Sequence, residues 1–142
     1  MTDTIFTFCN TVILFFWALL FLFPKKQLTQ MLINFPWVPF GLSFFYIYFI
    51  FGFGGLADVD FSSLEGIVEL FKKATPESAA AGWLHYLAFD FWMGAWLVKH
   101  SQHNQIPHLW IVVPLLFTFM LGPAGVLIYT IIYLGHQKFK TR

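Results

Sequence analysis

Asp90 is an acid–base group set where water is scarce. It stands twelfth in Ala79–Val98, a twenty-residue run in which His85 is the only other side chain that titrates near neutrality. Twenty helical residues cover about 30 Å, the thickness of a bilayer's hydrocarbon core. A carboxylate at the middle of such a run costs about 2.5–3.5 kcal/mol on insertion scales. A partner, a wet cavity or protonation meets that cost, and a carboxyl so placed can give or take a proton. Tyr86 lies four residues before Asp90 and could donate its hydroxyl to the carboxylate from the same helix face. His85 is five positions away, about 140° around the axis, and does not pair with Asp90 directly. Asp90, His85 and Tyr86 are the candidate catalytic residues, and their chemistry is general acid–base.

Other polar and small residues recur at helical spacing. Trp83, Tyr86, Asp90 and Gly94 share one stripe of their run. Thr118, Gly122, Gly125 and Tyr129 share a face of the next, and Asn10 and Trp17 share a face of the first. Asp90, Tyr86, Asn10, Thr118 and Tyr129 are expected to converge on a buried polar pocket. Asn10, Trp17, Trp83, Gly94, Thr118, Gly122 and Tyr129 are the candidate substrate-binding residues. Each has a plainer role open to it. Asp90 could serve only to hold helices together, His85 to pack, and Asn10, Thr118 and the tyrosines to glue helices by hydrogen bonds. Asp58 and Asp60 read as a solvated turn. His100, His103 and His108 lack a fourth zinc ligand, so no metal is expected. No phosphate loop or serine elbow is present, and no cofactor is called for.

The elements that must position these residues are membrane helices. Apolar residues make up 58% of the 142 and charged residues only 11%, far from the roughly 25% charge of soluble domains. The net charge of +1 and the lack of a basic stripe argue against a nucleic-acid partner. Hydropathy predicts a single all-α domain over residues 1–142, a four-helix membrane bundle with spans at about 4–23, 37–53, 79–98 and 108–134. Pro123 beside Gly122 predicts a kink in the fourth span. A short interfacial amphipathic helix at about 63–74 is expected between spans two and three, with Ser62 and Glu65 as its capping box and Glu69–Lys73 as a favoured ion pair. The first run reads as a retained anchor, with neither a secretory signal nor a transit peptide before it. The lone Cys9 says nothing of the redox compartment. Four crossings would put Lys72, Lys73, Lys138, Lys140 and Arg142 on one side and Lys25, Lys26 and Lys99 on the other. The positive-inside rule then places both termini in the cytoplasm.

The stretch Gly82-Trp83-Leu84-His85-Tyr86-Leu87-Ala88-Phe89-Asp90-Phe91 resembles the signature of the neoxanthin-synthase-like, or abscisic-acid-deficient-4-like, membrane proteins. So do Pro114-Leu115-Leu116-Phe117-Thr118-Phe119-Met120-Leu121-Gly122-Pro123-Ala124-Gly125, Asn10…Trp17…Pro24 and Phe61-Ser62-Ser63-Leu64-Glu65-Gly66. The likeness covers nearly the whole chain. It departs where a basic residue often follows the Asp by five positions, since Ala95 stands there. The resemblance implies a small four-span protein that acts on xanthophylls, as an isomerase opening a 5,6-epoxide to an allenic alcohol. It implies a carotenoid or isoprenoid ligand besides membrane lipid. The missing transit peptide fits a bacterial member in the inner (cytoplasmic) membrane. Two other readings stand beside the enzyme. One is a non-catalytic protein that binds a carotenoid, an isoprenoid or a partner protein. The other is a small transporter in which Asp90 titrates.

Overall fold

Helix α5 (Pro76–His103) is the axis of the molecule. Its 28 residues span about 42 Å. Pro76 occupies the first turn, and Thr75 and Ser78 exchange side chain-to-backbone hydrogen bonds in a reciprocal cap. The computed structural model describes residues 1–53 and 60–140, and every element in them is helical. Gly54, Gly55 and Asp58 lie outside the described residues.

Helix α1 (Thr2–Leu22) runs parallel to α5. The Thr2 hydroxyl donates to Glu77 at 3.0 Å at one end, and the Gln102 amide donates to the Pro24 carbonyl at 3.0 Å at the other. Helix α2 (Gln27–Asn34) lies at that second end, where Thr29 donates to the Phe23 carbonyl and Gln30 to the Pro24 carbonyl. A 57° bend leads into α3 (Trp37–Gly52). Phe35 precedes Pro36 there, and a proline forces its predecessor out of helical geometry; Phe35 is extended. Helix α3 returns along α5, and Ala81, Leu84, Ala88, Phe91, Ala95 and Val98 are all buried on α5. They form a seven-residue repeat with alanine at every first position, which lets a neighbouring backbone come close. Trp17 closes the core from α1, edge-on to Phe91 and Phe119 at ring-centroid distances of 5.6 and 5.3 Å. A Cβ on Gly94 would stand 2.5 Å from the Trp17 ring.

Helix α4 (Leu64–Lys72) matches the expected amphipathic helix. Its cap is one residue later than the sequence suggests. Ser63, not Ser62, accepts the Gly66 N–H, while Asp60 takes both serine hydroxyls. Glu69 pairs with Lys73, and also with Lys72, each at 3.3 Å.

The largest departure is the expected fourth span. It is two helices, α6 (His108–Leu121) and α7 (Pro123–Lys140), folded back on each other. Trp110 near the start of α6 meets His136 near the end of α7, with ring centroids 6.1 Å apart. The reversal sits at Gly122, whose φ of +42° is a conformation that suits glycine. Pro123 opens α7, where its missing N–H costs nothing. So Pro123 does not kink a through-going helix; it starts a returning one. Thr118 and Gly125 do not share one helix face either, but touch across the hairpin.

The fold separates the two ends of the described chain. The Lys140 amine reaches Gln105 at 3.3 Å and Gln137 reaches Asn104 at 3.2 Å, at the end of α5 opposite Thr2 and Glu77. Thr2 and Lys140 therefore lie at opposite ends, where four crossings would have put them together. Among the described residues α1 is the one helix long and apolar enough to cross a membrane, and the bent α2–α3 pair passes only when taken together, as a broken crossing or a re-entrant loop. Helix α6, at 14 residues, reaches only about 21 Å.

Candidate functional site

Asp90 lies fourteen residues from the start of α5 and thirteen from its end. It meets the tip of the α6–α7 hairpin. A Cβ on Gly122 would stand 2.5 Å from Asp90 Oδ1, so only glycine lets the turn close on the carboxylate. The start of α7 carries partial positive charge, although Pro123 has no N–H and the Gly125 N–H is taken by the Gly122 carbonyl at 3.1 Å. Asp90 is half-buried. Among the described residues its carboxylate has no hydrogen bond or ion pair. Tyr86 does not make the expected bond to it.

The hairpin covers only the half of α5 beyond Asp90. On the preceding turns Gly82 and Tyr86 are exposed, Tyr86 by 57%. A cavity of about 500 Å³ opens beside them between α3, α4 and α5. Tyr46, His85, Tyr86 and Trp83 line it, with Phe61 and Phe71 from the α4 side. Two candidate catalytic residues, His85 and Tyr86, and one candidate binding residue, Trp83, thus meet at one wall. Asn10 supports them, since it accepts the Trp83 indole N–H at 2.8 Å and donates to the Phe6 carbonyl of its own helix. His85 sits between rings, 4.7 Å from Phe89 and 5.8 Å from Tyr46.

The other candidates lie elsewhere. Trp17 and Gly94 are locked together in the core. Thr118 is buried and donates to the Pro114 carbonyl. Tyr129 is 1% exposed and bonds His100 Nδ1 at 2.7 Å, beside Trp96 and Tyr133. The expected pocket of Asp90, Tyr86, Asn10, Thr118 and Tyr129 is therefore divided into an upper wall, a hairpin tip and a lower His–Tyr cluster. Sequence reasoning missed Tyr46 and His100. Tyr46 is hidden in a helix that is apolar and aromatic on every face. His100 was placed in a connection because α5 runs five residues past the expected span.

The arrangement can do two things. The wall offers aromatic faces and a few polar tips, as sites for apolar ligands do. Asp90 offers a carboxyl packed against the Gly122 turn, with no hydrogen-bond partner among the described residues. No match was found among curated proteins or among solved structures. The family model described as ABA DEFICIENT 4-like matches residues 4–129, which takes in most of α1, α2 to α6, the Gly122 turn, Asp90 and Tyr129. The chain belongs to the ABA4-like family.

Proposed function

We propose that this is a multi-pass membrane protein that binds a carotenoid or another long isoprenoid lipid and isomerises it by acid–base catalysis. Family membership supports the carotenoid relation. The single observation that carries the reading is the aromatic cavity walled by Trp83, His85 and Tyr86, one turn of α5 above a carboxyl that has no hydrogen-bond partner among the described residues. A polyene end lying along the exposed Gly82–Tyr86 face would bring its ring to Asp90. Conversion of a 5,6-epoxide to an allenic alcohol removes one proton from the polyene side and returns one to the opening epoxide oxygen. No redox change occurs, and two proton-transfer groups suffice. Asp90 takes the proton as base, and Tyr86 or His85 supplies the acid.

The test is turnover by protein purified in mild detergent. The wild type is expected to carry a polyene, seen by absorption and lipid mass spectrometry. Asp90→Asn is expected to lose at least about a hundredfold in rate, with ligand content and melting curve unchanged. Unaltered turnover in that variant removes the acid–base role. A preparation that neither carries nor takes up a carotenoid removes the ligand class. A non-catalytic binding role is the second reading. It is favoured by the Tyr86 hydroxyl making no bond to Asp90, so that no proton relay stands assembled between them.

A further inference from the structure

The cavity beside α5 has two unlike walls. Phe61, Leu70, Phe71 and Ala74 make the α4 side, and all four are apolar. The α3–α5 side carries Tyr46, His85 and Tyr86 as a row of neighbouring rings. The Tyr46 and His85 centroids are 5.8 Å apart, and those of His85 and Tyr86 are 6.2 Å apart. Each ring carries a group that can donate or accept a hydrogen bond. Among the described residues none of the three has a hydrogen-bond partner. The other polar side chains of the lining are spent elsewhere, Trp83 on Asn10 and Ser78 on the Thr75 cap. The isomerisation proposed above uses one of the three tips as its acid, beside Asp90 as base. Tyr46 and one neighbour are left over. In a largely apolar ligand site a few polar groups fix orientation by meeting polar groups on the ligand. The surplus therefore calls for a second oxygen on the ligand's ring, apart from the one that reacts.

We propose that Tyr46 is a specificity-determining residue of this site, seating the ligand's end ring through a hydrogen bond to a ring hydroxyl. The inference rests on the reading of the cavity as a carotenoid or isoprenoid site. The ring lies with its oxygenated edge on the row of Tyr46, His85 and Tyr86 and its methyl-bearing edge on Phe61 and Phe71. Tyr46 comes from α3 and the reacting groups from α5, so the bond is made across the cavity and fixes the angle of the ring to α5. A ligand of the same skeleton without the hydroxyl leaves Tyr46 unpartnered and binds more weakly. Gly82 lines the same cavity, and a Cβ built on it meets no atom within 4 Å. The space beside it is open to a ligand.

The experiment titrates two probes into the full chain in detergent micelles, followed by the shift of their absorption. Zeaxanthin and β-carotene share one carbon skeleton, and only zeaxanthin carries a hydroxyl on each ring. The wild type is expected to bind zeaxanthin about tenfold more tightly, the worth of one good hydrogen bond. Tyr46→Phe removes the hydroxyl and keeps the ring. It is expected to bring the two dissociation constants together by weakening zeaxanthin alone, with the melting curve unchanged. Gly82→Leu puts a side chain into the open space, and is expected to exclude both probes while melting as the wild type does. Equal affinities in the wild type, or a preference that survives Tyr46→Phe, overturn the role of Tyr46 and leave the ligand class standing. Unimpaired binding of both probes by Gly82→Leu overturns the cavity as their seat. A wild type that binds neither probe fails at the earlier step, and removes the carotenoid reading together with this inference.

Discussion

Two residues concentrate the local physics. Gly122 satisfies a backbone demand and a steric one at once, with a φ of +42° and a carboxylate against its missing Cβ. Gly122→Ala is expected to cost about 1–3 kcal/mol from backbone strain, with the overlap on Asp90 added. In an Asp90→Ala background the overlap disappears while the strain remains. A double-mutant cycle of melting temperatures should therefore show coupling between the two positions, and strictly additive losses would mean that the turn does not rest on Asp90. Asp60 is the second. Hydrogen bonds from the Ser62 hydroxyl, the Ser63 hydroxyl and the Ser62 N–H hold its carboxyl down at about 2. A carboxylate lowered in the folded state stabilises it above the ordinary value near 4, and the contribution is lost as pH falls toward 2. The Ser62 amide signal followed by NMR in micelles is expected to titrate near pH 2. A midpoint near 4 would show the turn to be open. Asp90 was legible at this scale because a carboxyl in an apolar run stands out by type alone. Its neighbour Gly122 was legible as a break but not as a seat, since only the folded chain brings residues 90 and 122 together.

At the scale of elements, α1, α3 and α4 follow their hydropathy closely. Their ends are set by local signals: Pro24, the Pro36 bend and the serine cap. The capping serine was misjudged by one position because Ser62 and Ser63 are chemically equal and Asp60 decides between them. Ser63→Ala is expected to cost α4 about 1 kcal/mol, read as faster amide exchange along Leu64–Lys72, while Ser62→Ala leaves those rates nearly unchanged. Equal effects would return the cap to Ser62. The alanine repeat 81, 88 and 95, with Leu84, Phe91 and Val98 between, was present in the sequence as a plain heptad. It was masked because a run apolar on all sides gives no contrast between its faces. The α6–α7 break failed for a related reason. Gly-Pro within a hydrophobic stretch marks a kink and a reversal alike, and only long-range contacts such as Trp110 with His136 distinguish them.

Across the whole molecule, that one turn decides which residues share an end, since it brings Lys140 beside Gln105 and away from Thr2. Four was a sound count of apolar runs, but run length does not say whether a run is one helix or two. The aromatic wall occupies the Thr2-side half of α5, Asp90 its middle, and Lys25, Lys99 and Lys140 the other end. The hairpin also carries a consequence for biogenesis. At 14 residues α6 is too brief to be held by lipid on its own account, and its turning point needs α5 already in place beneath it. A ribosome delivering this protein must release five finished helices before the last two have anywhere to settle, so α6 and α7 are the last of the described elements to assemble, and a nascent chain stalled just before them should already hold α1, α3 and α5 together.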